Sequence, residues 1–198
     1  MIDTITALVI FLLPLAYSPG PGNLFFAAIG ARGGLAASVP ASAGYHVATW
    51  VVTFAMGYGL ARVLTDFPAV FDAMQVAGAI YMFWLAWVFL RAGASDGTMP
   101  ARTASFVDGV VLLVLNPKAY VIITLMFTQF LSADGVDFVT QLLVITTVFT
   151  LNNLIAFIFW TLIGDGLARI FRTEREARLM NVAFGVMLIA VAVWMMMR

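Results

Sequence analysis

The chain has 198 residues, of which 63% are hydrophobic and 10% are charged, and its net charge at pH 7 is zero. Soluble domains carry about a quarter charged residues, so this composition argues against a soluble protein and favours an integral membrane protein. The absence of cysteine excludes disulfides and cysteine-ligated metals. The basic residues are spread along the chain, so we expect no nucleic-acid partner.

Six apolar segments approach or exceed the roughly 18–20 residues that cross the hydrocarbon core of a bilayer as a helix. They lie at about 5–29, 36–64, 73–90, 106–131, 138–164 and 179–197. The longest polar linker, at about 92–105, divides the chain into halves of about 1–91 and 106–198. The sequence therefore predicts one all-α transmembrane domain over residues 1–198 with six helices in the lipid bilayer. A re-entrant first or fourth segment is the alternative.

Two of these segments contain residues that break a helix near its middle. The first segment contains Pro19-Gly20-Pro21-Gly22-Asn23, and the fourth contains Asn116-Pro117-Lys118. Proline lacks a backbone N–H and clashes with the preceding helical turn, and glycine has a low helix propensity. In lipid, broken backbone is tolerated only where it faces protein or a water-filled cavity. We therefore predict that helices 1 and 4 are broken near the membrane midplane.

A six-residue motif occurs once in each half of the chain. Gly57–Arg62 (Gly-Tyr-Gly-Leu-Ala-Arg) recurs 107 residues later as Gly164–Arg169 (Gly-Asp-Gly-Leu-Ala-Arg). A unit of three helices is inserted the other way up when it is repeated, and inverted repeats of this kind are a transporter architecture. The sequence thus predicts two inverted three-helix repeats. Chance similarity between glycine-rich helices is the alternative.

Arginines lie mostly on one side of the predicted membrane. The loops after the first, third and fifth segments carry Arg32, Arg91, Arg102, Arg169, Arg172, Arg175 and Arg178, and the opposite side carries Arg62 and Arg198. Loops rich in arginine and lysine stay on the cytoplasmic side. We therefore expect a multi-pass protein with both termini outside.

Broken helices expose groups that bind charged ligands inside a membrane. The N-terminus of a half-helix attracts a carboxylate, and unwound carbonyls hold an ammonium, so a zwitterionic amino acid suits both. Tyr45-His46 and Asn152-Asn153 occupy matching positions in the second and fifth segments and should face the same pathway. The candidate substrate-binding residues are Pro19, Gly20, Pro21, Gly22, Asn23, Tyr45, His46, Asn116, Pro117, Lys118, Asn152 and Asn153.

Lys118 and His46 each allow two interpretations. Lys118 is the only lysine, and an ammonium at membrane depth has to face a cavity or a partner. It either binds a substrate carboxylate or joins proton coupling, or it caps carbonyls freed near Pro117. His46 belongs to a helical stripe of polar residues, and it is either a proton shuttle or a hydrogen-bonded core histidine. The two stripes are Ser42, His46, Thr49, Thr53 and Thr146, Thr150, Asn153.

Four motifs together resemble one family of membrane proteins. Pro19–Gly22, Gly78–Tyr81, Phe106–Gly109 and Leu115–Ala119 are similar in sequence and spacing to the LysE/RhtB amino-acid exporter family, over essentially the whole chain. The resemblance implies a small protein of the bacterial inner membrane that exports amino acids without a bound cofactor. The proton gradient or the membrane potential would drive export.

One position departs from that family. The family commonly has an acidic or other polar residue after the first Pro-Gly-Pro, and this chain has Gly22, which puts a ligand role there in doubt. The middle of the second segment also lacks the carboxylate that exporters of basic amino acids tend to carry. The missing carboxylate favours a small neutral substrate.

Other functions are possible on the same sequence. An ion or metal exporter would use the same helices, but it would find few carboxylates and no thiolate as ligands. An electron carrier would depend on a single histidine, and a non-transporting scaffold would not need two helix breaks. We expect no enzyme, because the sequence has no glycine-rich phosphate loop and no Ser/His/Asp spacing. Glycine-rich helix faces make a homodimer plausible.

Overall fold

The computed structural model describes residues 2–60, 68–91, 104–131, 138–170 and 174–197. In these ranges the chain forms helices and no β-strand. The helices are α1 (Ile2–Tyr17), α2 (Pro21–Ala55), α3 (Pro68–Arg91), α4 (Phe106–Val114), α5 (Pro117–Phe130), α6 (Phe138–Ile170) and α7 (Glu174–Met196). A π-helical turn, Met56–Leu60, extends α2. The all-α fold is confirmed. Residues 92–103 of the linker, and Arg62, Arg102, Arg172 and Arg198, lie outside the described residues.

Both helix breaks are present where proline and glycine predict them. α1 ends at Tyr17 and α2 begins at Pro21, with Gly20 in an extended conformation (φ −173°, ψ 176°). α4 ends at Val114 and α5 begins at Pro117, and this pair is bent by 63°. Each second half-helix starts with a proline, because the first helical position needs no N–H donor and suits the fixed φ angle of proline.

The chain reverses direction within α2, at Gly34. This residue has a φ of +66°, which glycine adopts without the steric cost of a side chain. The ring centroids of Phe26 and Tyr45 lie 6.2 Å apart, although a straight helix would separate these residues by about 28 Å. The two halves of α2, 21–33 and 35–55, therefore lie side by side, which agrees with the boundary between the first and second apolar segments.

Some of the described helices are long and apolar enough to cross a membrane. By length and hydropathy, Pro21–Gly59 and Phe138–Ile170 qualify, and the bent pair of α4 and α5 makes a third span when it is counted as one. The first helix, at Asp3–Tyr17, is apolar but shorter. These helices have the character of a membrane protein, while the division into six spans stays a prediction.

Polar and apolar side chains are distributed as lipid surroundings require. Large apolar side chains are exposed on the outer helix faces, among them Val51 (56%) and Ile155 (57%). The buried polar residues include Asn23, His46, Thr49, Thr53, Asn116, Thr146, Asn152 and Asn153. An apolar exterior around a polar interior is the arrangement expected when polar groups serve a pathway or join helices within a bilayer. Most of both predicted polar stripes thus point inward.

Two hydrophobic clusters meet at the level of the breaks. One contains Leu24–Ile29, just after the first break, and Leu113, just before the second. The other contains Leu12, before the first break, and Met126, after the second. Both breaks therefore lie near the boundary between the two clusters, inside the protein rather than at either end.

Helices of one half of the chain pack mainly on helices of the other half. α2 packs chiefly on α6 and α4, and α3 packs on α7. In the first half of α2, Gly30 lies against the backbone of Thr161 in α6, and in the second half Gly44 lies against the backbone of Phe106 in α4. A Cβ atom at either glycine would overlap a carbonyl oxygen, so the helix backbones touch at both crossings. These crossings fix the helices that carry the two breaks.

Candidate functional site

The first break is held by side chains that satisfy consecutive backbone carbonyls. The last carbonyls of a helix lack donors from within the helix, yet each carbonyl of residues 15–18 accepts a hydrogen bond from a side chain. Asn23 Nδ2 donates to the carbonyls of Ala16 (2.8 Å) and Ser18 (3.0 Å). Ser18 Oγ and Trp160 Nε1 donate to the other two, over 3.0 and 3.2 Å. The side chains therefore stabilise this irregular segment.

Lys118 connects the second break to the first. It lies in the first turn of α5, and its Nζ donates to the carbonyl and to Oγ of Ser18 over 2.8 and 2.9 Å. Both contacts are neutral oxygens rather than carboxylates. A Cβ atom at Gly20 would lie 3.0 Å from Nζ, so the lysine side chain runs directly over that glycine. The ammonium therefore lies between the two breaks.

The second break leaves one buried polar atom without a partner. Tyr120 Oη donates to the carbonyl of Val114 over 3.0 Å and so bridges the break. Asn116 is 5% exposed, and its Nδ2 donates to Tyr45 Oη over 3.2 Å. Its Oδ1 has no hydrogen-bond partner within the described part of the chain. An unpaired buried acceptor is costly, so a ligand that donates to it gains correspondingly.

A cavity of about 20 Å³ lies between the two breaks, which is room for about one water molecule. Helices from both halves of the chain form its walls. It is lined by Leu15, Ala16, Gly20, Gly22, Asn23, Tyr45, Asn116, Lys118, Ala119, Ile122, Phe149, Asn153 and Phe157. The lining thus combines a cation, amide groups and apolar side chains, which suits a small molecule with charged and apolar parts.

One wall of the cavity is aromatic. The ring of Phe157 comes from α6 and is 2% exposed. Its centroid lies 4.4 Å from that of Phe26, 4.6 Å from that of Tyr45 and 5.4 Å from that of His46. Contacts of this length between tilted rings are favourable beyond simple burial. Phe157 is therefore held in one position at the edge of the cavity.

The structure brings seven of the twelve candidate residues together at the cavity. They are Gly20, Gly22, Asn23, Tyr45, Asn116, Lys118 and Asn153. Pro19, Pro21 and Pro117 belong to the breaks but do not line the cavity. Asn153 of α6 lies beside Tyr45 and His46 of α2. Substrate binding by these residues stays a prediction.

His46 and Asn152 lie outside the cavity lining. The Nδ1–H of His46 donates to the carbonyl of Ser42 over 2.7 Å, which leaves Nε2 buried and without a partner among the described residues. Asn152 is buried in α6, and its Nδ2 is likewise unpaired within the described ranges.

The described ranges contain no group of three or more His, Asp or Glu residues that could hold a metal ion.

Three residues near the cavity were not among the candidates. Tyr120 and Trp160 bond carbonyls at the two breaks, and Phe157 forms the aromatic wall. Phe157 follows Asn153 by four residues, so helical periodicity places the two on one face and could have identified it. Trp160 reaches Tyr17 over a sequence separation of 143, for which the sequence gives no local signal.

Comparisons with known proteins agree with the four motifs. The family model of the LysE type translocators matches residues 13–198. The chain is 26% identical to a leucine efflux protein of Enterobacter sp. (strain 638), over 88% of this chain and 86% of that protein. It is 25% identical to a leucine efflux protein of Klebsiella pneumoniae, over 88% and 85% of the two chains. It is also 25% identical to a homoserine/homoserine lactone efflux protein of Salmonella typhimurium, over 86% and 85%.

No solved structure matches the chain. The family match covers both breaks and the whole cavity, since it extends from residue 13 to the last residue. The resemblance expected from the motifs is confirmed. The chain belongs to the LysE type translocator family, whose members are transport proteins and not enzymes.

Proposed function

We propose that the protein is a secondary exporter of small neutral amino acids, and that the cavity between the two breaks is its substrate site. The similar proteins are named for efflux of leucine and of homoserine or its lactone, which supports an amino-acid substrate. One observation carries the proposal. Lys118 and Asn116 both line this cavity, and within the described ranges the Lys118 ammonium contacts neutral oxygens of Ser18 while Asn116 Oδ1 has no partner.

The charged groups of an amino acid complement these two atoms. In the proposed complex, the substrate carboxylate takes the place of Ser18 at Lys118 Nζ, and the substrate ammonium donates to Asn116 Oδ1. Hydrogen bonds to ionised groups are about twice as strong as neutral ones, so both contacts favour the zwitterion.

The apolar wall of the cavity favours a neutral side chain. Once Lys118 and Asn116 hold the charged groups, the substrate side chain faces the apolar part of the lining, which includes Ile122, Phe149 and Phe157. The cavity lining that the structure describes contains no aspartate or glutamate. A lysine or arginine substrate would therefore bury a second positive charge without a partner, which is strongly unfavourable.

Transport requires that the helices around the cavity separate. A space for one water molecule is too small for an amino acid, so this conformation is contracted around the site. We propose that two inverted three-helix repeats, six spans in all, rock around the site to open it to either side. Packing between the two halves supports this arrangement of repeats. The first helix of each half packs on the second helix of the other half, and α3 packs on α7.

The arginine distribution gives the proposed orientation. The turn at Gly34 lies near Asp165, since a Cβ atom there would be 3.8 Å from Asp165 Oδ1. Arg32 and Arg169 therefore lie at the same end of the molecule, as the positive-inside rule requires of cytoplasmic residues. We propose an inner-membrane protein with this end in the cytoplasm and both termini outside. The proton gradient or the membrane potential, rather than a bound cofactor, would drive export.

The test is amino-acid efflux from cells loaded through dipeptides. Wild type, Lys118→Ala, Lys118→Arg and the control Gln129→Ala, an exposed polar residue on the same helix, are compared at equal membrane expression. We expect wild type and the control to export a neutral amino acid at equal rates. The export rate of Lys118→Ala should be at least about tenfold below that of wild type, which corresponds to the loss of one charged hydrogen bond. Lys118→Arg should retain part of the activity. Equal export by wild type and Lys118→Ala would contradict the proposed site.

A further inference from the structure

A side chain at position 22 would overlap the ring of Phe157 at the edge of the cavity. Gly22 lies at the second position of α2, directly after the first break, and lines the cavity. A Cβ atom at Gly22 would lie 2.6 Å from Cζ of Phe157 and 3.3 to 3.4 Å from the two neighbouring ring carbons. The tip of the Phe157 ring therefore fills the space that any larger residue at position 22 would occupy.

The ring cannot easily leave this position. Phe26, Tyr45 and His46 also contact the ring, with centroid distances between 4.4 and 5.4 Å. Protein interiors are packed as densely as organic crystals, so a ring with this many neighbours moves only when they move as well. Phe157 thus behaves as a fixed wall of the cavity.

From this geometry we infer that Phe157 determines which neutral side chains the site accepts. The inference deepens the proposed function and rests on it. With the substrate carboxylate at Lys118 and its ammonium at Asn116, a long side chain extends towards Gly22 and meets the tip of the ring. Phe157 therefore sets the maximum length of the substrate side chain, and the site takes aliphatic amino acids in preference to aromatic ones.

Selectivity of this kind is measurable. A single methylene group in an apolar pocket changes relative rates about 10- to 200-fold. Shortening Phe157 to alanine removes six carbon atoms from the wall and makes room for a ring. We therefore expect Phe157→Ala to raise the ratio of phenylalanine export to alanine export at least about tenfold, even if both absolute rates fall.

The experiment measures efflux of alanine, leucine and phenylalanine by wild type, Phe157→Ala and Phe157→Leu. The matched control is Phe159→Ala, which removes a phenylalanine of the same helix that is 50% exposed on the outer face. We expect an intermediate ratio for Phe157→Leu and the wild-type ratio for Phe159→Ala. Phe157→Leu keeps most of the apolar volume, so it tests the ratio even if Phe157→Ala does not fold.

A second pair of variants tests the shared volume directly. Gly22→Ala places a methyl group against the ring and should reduce export of leucine more than export of alanine. Gly22→Ala combined with Phe157→Leu should recover the leucine rate, because the smaller side chain leaves room for the methyl group.

The outcomes separate two failures. If wild type exports no amino acid at confirmed expression, the proposed function fails, and the inference fails with it. If wild type exports but every Phe157 variant lowers all three rates by the same factor, Phe157 has only a packing role and the inference alone is wrong.

Discussion

The two helix breaks look alike in sequence but differ in how their polar groups are satisfied. At the first break, every carbonyl of residues 15–18 accepts a side-chain hydrogen bond. At the second break, backbone bonds and Tyr120 take the freed carbonyls, and Oδ1 of Asn116 stays unpaired within the described protein. A break whose carbonyls all accept hydrogen bonds contributes to stability. A break with an unpaired acceptor can also bind a ligand that donates a hydrogen bond to it. We therefore predict that the first break mainly stabilises the fold and that the second break mainly binds substrate.

The largest effect is expected from removing the open acceptor. Asn116→Ala should lower export of a neutral amino acid about 10- to 100-fold, since a hydrogen bond to a charged group contributes about 1.5–3 kcal/mol. The thermal midpoint of the purified protein should change little, because loss of the bond to Tyr45 is offset by removal of the buried Oδ1 that is unpaired in the described ranges. Efflux per molecule and thermal unfolding in detergent measure the two quantities. Normal efflux by this variant would show that the open acceptor is not used.

The second prediction is a loss of stability with little change in export. Asn23→Ala removes both side-chain bonds to the carbonyls of Ala16 and Ser18, and an unsatisfied buried group costs about 1–3 kcal/mol. For a protein of this size the thermal midpoint should fall by about 3–10 °C. Export per folded molecule should stay within about threefold of wild type. Thr128→Ala, whose exposed hydroxyl bonds only its own helix, is the control. An unchanged midpoint would contradict a structural role for the first break.

A smaller effect on stability is expected at the second break. Tyr120→Phe keeps the ring but removes the hydroxyl that donates to the carbonyl of Val114. Loss of one neutral hydrogen bond costs about 1 kcal/mol, so the thermal midpoint should fall by about 2–4 °C. Thermal unfolding in detergent measures this change in the midpoint. A fall larger than that of Asn23→Ala would reverse the assignment of stability to the first break.

The smallest effect concerns competition for Lys118. Ser18→Ala removes one of the two oxygens that hold the ammonium and leaves the carbonyl. Because a substrate carboxylate has to displace Ser18, its apparent affinity should rise, and KM should fall about two- to fivefold, the equivalent of roughly half a neutral hydrogen bond. Initial efflux rates over a range of internal substrate concentrations give KM. A higher KM would mean that Ser18 assists substrate binding instead.

The sequence predicts those features that local chemistry determines. Proline and glycine mark both breaks within a few residues, because their effect on a helix does not depend on the rest of the chain. The polar stripes through His46 and Asn153 correctly identify buried faces, since helical periodicity alone places such residues on one side. The position of Lys118 close to a cavity follows from the cost of burying a charge in lipid.

Contacts between distant parts of the chain could not be predicted in the same way. Nothing near Ser18 indicates that it meets Lys118, and Phe157 is one of 17 phenylalanines with no distinguishing neighbour except Asn153. The unpaired state of Asn116 Oδ1 depends on where Tyr45 directs its hydroxyl group, which only the folded arrangement determines.

The bond between Ser18 and Lys118 also constrains how the protein is made. The two residues are 100 positions apart, and Trp160, which serves the neighbouring carbonyl, is 143 positions from its acceptor. When only the N-terminal segment has emerged from the ribosome, Ser18 and Asn23 are the nearby residues able to donate to the open carbonyls. An unsatisfied carbonyl in lipid costs several kcal/mol, so the nascent segment remains beside the insertion machinery or in contact with water. We therefore expect the helix before the first break to settle fully in the bilayer only after α5 and α6 have been inserted.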